Sequence, residues 1–339
     1  MKLREEVKNI KPYNPGKDRA GIKLNKNESP FSLPKELKNE ILAALKDVPF
    51  NRYPESTGVG LREKLGAFHD LEKNNVVVGS GSDQLISYSV KLFSGEGAIV
   101  TPPTFSMYRF YSEVSGLKVF SVPLNRWFEL QIDKIKSKIK KAAIVFLCSP
   151  NNPTGNTFKR DKIVEILDTG TAVVLDEAYG EFSGISHMDL IQDYDNLLVL
   201  RTFSKAFGLA GARIGYALGS KKIIDYLLRV KPPYNLNSIS LRIAKILLDN
   251  YETVQERVKF ITSERSRIYR RFEDICYPSQ ANFLLMDIDA GDYFRERGVS
   301  VRTFTGRLEN KIRITIGTKK ENDLLIDSLE DYTEKRDDD

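Results

Sequence analysis

Between about residues 75 and 219 the chain alternates short apolar, β-branched runs with segments of helical periodicity. The apolar runs are VVVGS, GAIVTP, LKVFSVP, AAIVFLCSP, TAVVLDEAY, NLLVLRTFS and RIGYALG. Strands that are apolar almost throughout are buried on both faces, and helices between them form the crossovers of a parallel sheet. The pattern therefore predicts an α/β fold built on a seven-stranded, mostly parallel sheet.

Helices are predicted between these runs, at residues 83–93, 105–115, 160–168 and 221–230. After KPPYNLNS the pattern changes, because a long helical stretch at about 238–272 precedes ANFLLMDI, VSVRTF and KIRITIG, which predict a smaller α+β unit. The first 45 or so residues hold no strand for the large sheet and are expected to pack against this unit. We therefore expect a large domain at 46–234, a small domain formed by 1–45 and 235–339, and a disordered tail at EKRDDD.

Composition narrows the class of protein. The 52 basic and 46 acidic residues give a net charge of +6, but they are interspersed, which argues against a nucleic-acid binder. With Cys148 and Cys276 as the only cysteines and His69 and His187 as the only histidines, neither a disulfide framework nor a metal site is expected. The charged start MKLREEVKNI lacks an apolar signal core, and no apolar run approaches the ~20 residues that span a bilayer. These features predict a cytoplasmic enzyme that binds neither nucleic acid nor membrane.

Polar side chains follow the predicted strands at the points where the strands end. In open parallel sheets, ligands bind beyond these carboxyl ends. The residues found there are Gly81, Ser82, Asp83, Thr104, Phe105, Asn151, Asn152, Asp176, Glu177, Tyr179, Thr202, Ser204 and Lys205. Lys205 stands out because it follows an apolar run and precedes glycines and alanines, which let a backbone or ligand come close. Such a lysine is suited to react rather than to be solvated.

Each of these signals also has a more ordinary interpretation. A Gly-Ser-Asp turn is usually a helix N-cap, and NNPTG by itself is a turn. The aspartate of VVLDEAY could bind magnesium in a nucleotide enzyme. GSGS lacks the third glycine and the later acid of a dinucleotide-binding fingerprint, which disfavours a nicotinamide dehydrogenase. Taken singly, the residues leave these alternatives open.

The ordered combination of motifs is more specific than its parts. The motifs are KPYNPG, LNKNESP, RYPES, GSGSDQ, PPTFSMY, CSPNNPTG, DEAY, TFSKAFGLAGARIGY, PPYNLNS and IRITIG. Their order and spacing resemble the fold-type I pyridoxal-phosphate enzymes, and within them the class I/II aminotransferase group. The arrangement is most similar to the histidinol-phosphate aminotransferases.

The resemblance implies roles for the strand-end residues. Lys205 would bond to the aldehyde of pyridoxal 5'-phosphate and later move a proton at the substrate, while Asp176 would keep the pyridine nitrogen protonated. Tyr179 and Asn152 would hydrogen-bond the phenolic oxygen of the ring, and Phe105 would stack on its face, where the family often has tyrosine. The residues implied to hold the phosphate are Ser82, Asp83, Thr202, Ser204 and Arg213. Gln84 departs from the acid that is common in the family after Ser-Asp.

The same resemblance implies substrate contacts and a shared site. Arg302 and Arg313 would bind the substrate carboxylate or phosphate, and Tyr13 of KPYNPG would close over the substrate. Tyr53 of NRYPES would reach the cofactor phosphate of a neighbouring subunit, so the active unit is expected to be a homodimer with shared sites. No metal is implied.

The activity implied is transamination between histidinol phosphate and 2-oxoglutarate, a small-molecule amino donor and a 2-oxo acid acceptor, in histidine biosynthesis. An aromatic amino acid aminotransferase and a threonine-phosphate decarboxylase on the same scaffold are the enzyme alternatives. A cofactor-binding regulator is a third, disfavoured because no helix-turn-helix segment precedes the fold and Lys205 is present.

Overall fold

The central feature of the computed structural model, which describes residues 2, 5–8, 10 and 21–337, is a seven-stranded sheet. The strands among the described residues are β1 (Ile22–Lys23), β2 (Val76–Gly79), β3 (Gly97–Val100), β4 (Lys118–Ser121), β5 (Ala142–Cys148), β6 (Ala172–Asp176), β7 (Leu197–Thr202), β8 (Gly215–Gly219), β9 (Phe283–Met286), β10 (Val299–Ser300), β11 (Arg302–Thr303) and β12 (Ile312–Thr315). The large sheet has the order β2-β8-β7-β6-β5-β3-β4, and within it only β8 runs antiparallel to its neighbours. The predicted α/β class with a mostly parallel seven-stranded sheet is confirmed.

Helices surround the large sheet and connect its strands. They are α1 (Glu5–Lys8), α2 (Lys35–Leu45), α3 (Val59–Phe68), α4 (Gly81–Leu92), α5 (Met107–Val114), α6 (Ile132–Ile139), α7 (Arg160–Leu167), α8 (Gly180–Ser183), α9 (Lys221–Val230), α10 (Ser238–Asp249), α11 (Tyr251–Arg271), α12 (Gly291–Glu296) and α13 (Lys319–Asp337). Within the described part of the chain, none of the helices combines the length and apolar character that crossing a bilayer requires.

Both faces of the sheet are buried, as the apolar strands predict. In β2, Val76 and Val78 pack into one apolar cluster, whereas Val77, which points to the opposite face, packs into another. The second cluster also holds Ile223 and Leu227 of α9, so this helix covers that face. Burial on both sides fixes the strand register and therefore the position of each residue at the strand ends.

The helix ends show where local patterns misled the prediction. α4 begins at Gly81 rather than at residue 83, so Ser82 and Asp83 lie in its first turn. The stretch at 238–272 is two helices, because Asn250 leaves helical geometry and its side chain caps the Ile246 carbonyl. α3 and α6 were not predicted, and the glycines of α3 weaken its helical signal.

The predicted disordered tail is wrong for residues 334–337. Their backbone continues α13, which runs to Asp337. Leu325 and Leu329 of this helix are fully buried, so packing against the core stabilises the first part of α13. The charged residues at its end then extend a helix that has already formed, which is easier than starting one.

A smaller sheet lies beside the large one, with the strand order β11-β12-β9 and antiparallel pairing. β1 pairs with β10, and the Leu24 carbonyl accepts a hydrogen bond of 2.8 Å from the Thr315 amide in β12. Residues 22–24 thus join the C-terminal unit, as expected. The division into domains at 46–234 and at 1–45 with 235–339 stays a prediction.

A buried ion cluster lies beneath the turn that follows β6. The Arg201 guanidinium of β7 lies 2.9 Å from Glu177 Oε2 and 3.0 Å from Glu181 Oε1, and all of these side chains are at least 93% buried. Glu177 also accepts hydrogen bonds of 2.7 Å from the His187 amide and from the Ser186 hydroxyl. Burial acts to raise the pKa of Glu177, but its bonds to His187 and the charge of Arg201 outweigh this effect and hold the pKa below its usual value. Glu177 is therefore held ionised beside the Arg201 guanidinium.

Replacing Arg201 with methionine tests how much this cluster contributes. Arg201→Met leaves Glu177 and Glu181 buried without their cation, which costs about 3–5 kcal/mol in a typical buried ion pair. We expect a fall of that size in the free energy of unfolding, measured by urea denaturation. Arg109→Met is the control, because its pair with Glu113 is exposed on α5 and is worth less than about 1 kcal/mol. Equal effects of the two substitutions would contradict the prediction.

Candidate active site

A cavity of about 1130 Å³ opens beyond the carboxyl ends of β5, β6 and β7, between the large and small sheets. Most of the predicted site residues meet in its wall. They are Ser82, Asp83, Phe105, Asn152, Asp176, Tyr179, Thr202, Ser204, Lys205, Arg213, Arg302 and Arg313. The topology explains this convergence, since parallel strands end at the same edge of a sheet.

Lys205 lies on the floor of the cavity, three residues after β7 ends. Its amine donates a hydrogen bond of 3.1 Å to the Lys26 carbonyl and lies 5.7 Å from the centre of the Tyr179 ring. Desolvation lowers the pKa of Lys205 to about 8, and repulsion from the Arg313 guanidinium adds to this effect. An amine with such a pKa is partly neutral near physiological pH and can act as a nucleophile or a base.

Asp176 is the last residue of β6 and is 3% exposed. Its Oδ2 accepts a hydrogen bond of 2.7 Å from the Tyr108 hydroxyl, and its Oδ1 accepts one of 3.0 Å from the Ala178 amide. Burial raises the pKa of Asp176 to about 6, although the bond from Tyr108 opposes the rise. A buried carboxylate of this kind is stabilised by any cationic N–H group that enters the cavity.

Tyr179 stands at the centre of a polar group on the opposite wall. Its hydroxyl oxygen accepts bonds from Asn27 Nδ2 at 2.9 Å and Asn152 Nδ2 at 3.3 Å. A phenol that accepts two bonds still has its own proton to donate. Asn152 Oδ1 in turn accepts a bond of 2.5 Å from Arg313 Nη1. The wall therefore presents donors whose orientation is fixed by neighbouring side chains.

An anion cradle lies at the start of α4. No side chain caps this helix, so the amides of its first turn can bind an anion. Arg213 reaches the same place, with Nη1 3.5 Å from Ser204 Oγ and Nη2 3.2 Å from Asp83 Oδ2. Glycines make this packing possible: a Cβ on Gly81 would lie 2.6 Å from Arg213 Nη2, and one on Gly215 would lie 2.5 Å from the Ser82 amide nitrogen. Thr202 holds the adjoining turn, since its hydroxyl accepts a bond from the Ser204 amide at 3.1 Å.

Arg302 and Arg313 face each other across the small sheet. They are directly opposite in the antiparallel pair β11–β12, so both side chains lie on the face that lines the cavity. Like charges in this arrangement destabilise a sheet unless an anion lies between or beside them. Arg313 is 7% exposed, and its Nη2 also donates to the Asn25 carbonyl at 2.6 Å, whereas Arg302 is exposed. The pair suits an acidic substrate.

The sequence as a whole matches a known family. A family model described as aminotransferase class I and II matches residues 19–329. The chain belongs to the class I and II aminotransferases. It is 50% identical over 331 residues to the histidinol-phosphate aminotransferase of Pyrococcus furiosus, covering 98% of each chain. It is 48% identical over 330 residues to that of Thermococcus kodakarensis, covering 97% of this chain and 98% of the relative.

Solved structures agree with the fold of this aminotransferase. The histidinol-phosphate aminotransferase of Sinorhizobium meliloti, solved in complex with pyridoxal-5'-phosphate, matches with a TM-score of 0.83 and 26% sequence identity. The match covers 91% of this chain and 90% of that one.

One predicted site residue of this aminotransferase, Tyr53, is described by the structure but does not line the cavity. Tyr53 is 83% exposed and stacks on Tyr234, with their ring centres 4.7 Å apart. This position leaves it available to a second chain. Tyr13 lies outside the described residues.

Other residues of the site were not predicted. Asn27 and Tyr108 each contact a predicted site residue directly, and both lie within quoted motifs, LNKNESP and PPTFSMY. Arg307 also lines the cavity, and it donates bonds of 2.5 Å to the Leu124 and Asn125 carbonyls. Its sequence context, in a loop between short strands, carried no signal for this position.

The lowered pKa of Lys205 predicts a trade-off between stability and reactivity. Because the folded protein disfavours the charged amine, protonation of Lys205 below pH 8 costs stability, and this cost disappears as the pH rises from about 8 towards 10.5, the ordinary lysine value. Lys205→Met keeps most of the unbranched side chain without the charge. We expect the cofactor-free variant to be more stable than the cofactor-free wild type at pH 7, with a smaller difference at pH 10, by urea denaturation.

Lys222→Met is the matched control, since Lys222 pairs with Asp195 on the surface. It should leave the free energy of unfolding nearly unchanged at both pH values. A Lys205→Met protein that is less stable than the wild type at pH 7 would show that the buried amine stabilises the fold.

Proposed function

We propose that this aminotransferase transfers an amino group between histidinol phosphate and 2-oxoglutarate, with glutamate as the physiological donor, in histidine biosynthesis. The observation that carries the proposal is one cavity in which the Lys205 amine faces the paired arginines Arg302 and Arg313. The near full-length likeness to enzymes named histidinol-phosphate aminotransferase supports it.

The residues of the cavity fit pyridoxal 5'-phosphate. The uncapped start of α4 and Arg213 suit a phosphate dianion, and the close approach at Gly81 and Gly215 leaves the cradle no room for side chains in their place. The Asp176 carboxylate suits a protonated ring nitrogen. Bound pyridoxal phosphate supplies a carbonyl that carries the amino group between substrates and a ring that accepts electrons from the substrate α carbon.

Lys205 is the proposed catalytic base and covalent attachment point. Its lowered pKa makes the neutral amine accessible, so it can bond to an aldehyde and, once displaced by the substrate, move a proton at the α carbon. Asp176 would hold the proton at the ring nitrogen, and a cation there would return the carboxylate's pKa towards its ordinary value.

The remaining roles are positional. Tyr179 would donate its proton to the phenolic oxygen of the ring, with Asn152 as a second donor, because Asn27 and Arg313 already orient both. Phe105 would stack on the ring face. The residues proposed to hold the phosphate are Ser82, Asp83, Thr202, Ser204 and Arg213.

Arg313 and Arg302 are proposed to hold the substrate anions. Arg313 is buried and oriented by two acceptors, which suits an anion bound in a single geometry, either a carboxylate of glutamate or the phosphate of histidinol phosphate. Arg302 is exposed at the outer part of the cavity, which suits the phosphate of the longer substrate. Tyr13 is proposed to close over the substrate.

The proposed active unit is a homodimer in the cytoplasm. Tyr53 and Tyr234 form an exposed aromatic pair, and Phe50 nearby in sequence is 76% exposed. Exposed aromatic groups of this kind are typical of protein–protein interfaces. Tyr53 would donate a hydrogen bond to the cofactor phosphate of the neighbouring subunit.

Single-turnover amino transfer tests the assignment directly. Histidinol phosphate, glutamate, phenylalanine and threonine phosphate would each be mixed with the holoenzyme and followed through the absorbance of the bound cofactor. We expect rapid turnover with histidinol phosphate and glutamate. Faster reaction with phenylalanine would favour an aromatic aminotransferase, and carbon dioxide release from threonine phosphate would favour the decarboxylase.

Lys205→Ala should bind the cofactor without the lysine-bound absorbance band or multiple turnover.

Substitution of the paired arginines separates their roles. Loss of a hydrogen bond to a charged group costs about 1.5–3 kcal/mol, or roughly 10- to 150-fold in kcat/KM. We expect Arg313→Ala to lose this much with both glutamate and histidinol phosphate. Arg302→Ala should affect histidinol phosphate more than glutamate. Small, equal effects on every substrate would mean that neither arginine holds a substrate anion.

Subunit mixing tests the role of Tyr53. If Tyr53 acts on the neighbouring site, a heterodimer of Tyr53→Phe and Lys205→Ala subunits has one site with both defects and one intact site. We expect activity to rise on mixing, measured against the unmixed parents after subunit exchange has been demonstrated by differential tagging. If Tyr53 serves its own subunit, no intact site forms and confirmed heterodimers gain nothing.

A further inference from the structure

Lys231, which directly follows α9, is a buried cation held by neutral oxygens. It is 7% exposed, and its amine donates to the Ser56 carbonyl at 3.0 Å, the Pro232 carbonyl at 3.1 Å and Asn235 Oδ1 at 2.6 Å. These acceptors use all of the ammonium protons. None of the ion pairs between described residues includes Lys231. Burial lowers the pKa of Lys231 to about 8, and the charge of Arg62 adds to the effect.

One side of this contact leads to the cofactor cradle. Asn235 Nδ2 donates to Gln84 Oε1 at 2.7 Å and to the Val78 carbonyl at 3.1 Å. Gln84 Oε1 also accepts a bond of 2.8 Å from the Ser80 amide. An unbroken chain of hydrogen bonds thus runs from Lys231 to the residue that precedes α4. Gln84 links the two ends of this chain, since its amide oxygen accepts hydrogen bonds from both Asn235 Nδ2 and the Ser80 amide.

The other side leads to the loop that carries Tyr53. The Ser56 carbonyl accepts bonds from the Lys231 amine at 3.0 Å and from the Tyr234 amide at 3.1 Å. Tyr234 in turn stacks on Tyr53. One ammonium therefore anchors the loop at 51–58 and the turn at 79–83 together.

Stability alone does not explain a cation at this place. Burying an ammonium without a counter-ion is costly, and apolar side chains of similar volume usually stabilise such sites at least as well. The distinguishing property of Lys231 is its geometry, because acceptors from two segments, the Ser56 loop and the turn at 232–235, converge on one ammonium.

We propose that Lys231 is a positioning residue for the cofactor phosphate, acting on the turn before α4 in its own subunit and on Tyr53, which serves the neighbouring subunit. The proposal rests on the proposed function, in which a phosphate dianion occupies the cradle and Tyr53 acts across the dimer. Lys231 itself does not line the cavity.

The first measurement is the rate of cofactor release from the holoenzyme, followed by the absorbance of the lysine-bound cofactor after dilution into a scavenger. Lys231→Met should speed release about tenfold, the effect of losing a hydrogen bond to a charged group. KM for glutamate should stay unchanged, because the chain of bonds does not reach Arg313. Lys222→Met, which removes the same charge from the surface of α9, is the matched control and should not change release.

A double-mutant cycle then tests the link to Tyr53. Tyr53→Phe should speed release in the wild-type background and add little in the Lys231→Met background, because the loop has already lost its anchor. Gln84→Met breaks the same chain of hydrogen bonds at its Ser80 end and should speed cofactor release even with Lys231 in place. This variant tests the positioning role if Lys231→Met fails to fold.

The outcomes separate this proposal from the proposed function. A wild-type protein that binds no pyridoxal phosphate would overturn both. If the wild type binds it but Lys231→Met and Gln84→Met change only the free energy of unfolding, the positioning role is wrong and the function stands. Additive effects of Tyr53→Phe and Lys231→Met, or no effect of Tyr53→Phe, would likewise overturn the proposal.

Discussion

The Arg201 guanidinium between Glu177 and Glu181 is the interaction on which the geometry of the cavity depends. In the sequence, Glu177 directly follows Asp176 and precedes the turn that carries Tyr179. Because Arg201 fixes the Glu177 carboxylate, the backbone on both sides of Glu177 is fixed as well. The side chains of this segment therefore point to different sides. Glu177 points into the protein and is neutralised there, while the side chains of Asp176 and Tyr179 line the cavity. A surface ion pair could not do this, because water and salt would weaken it.

The cavity itself is electrostatically unfavourable for the protein alone. It contains a carboxyl group whose pKa is raised, an amine whose pKa is lowered, and paired arginines that repel each other. Each of these groups suits an incoming partner: the carboxylate suits a cationic ring nitrogen, the neutral amine suits a carbonyl with which it can condense, and the arginines suit an acidic substrate. Strain of this kind is typical of functional sites, where stability is sacrificed for reactivity. The rest of the fold, with strands buried on both faces, compensates for it.

Much of this arrangement could be predicted from the sequence, because it depends on local rules. Apolar runs mark the strands, and the residues after them must meet at one edge, which places Asp176 and Lys205 in one cavity. Asn27 could not be placed this way, since it reaches Tyr179 from 152 positions away through the packing of a loop. Tyr108 was missed because it lies in a helix, fully buried behind Asp176. Tyr53 is a harder case, because its proposed partner belongs to another chain.

The register of β11 against β12 limits how the mouth of the cavity can change during evolution or engineering. Arg302 and Arg313 share a face only because they are directly opposite, and a slip of one residue would turn one of them to the other side of the sheet. Insertions in the connecting segment at 304–311 would therefore have to bulge outward to keep the pairing. Such insertions would reshape the wall around Arg307 while both facing cations stay in place. The hairpin loop can therefore diversify the size of ligand accepted without loss of charge selectivity.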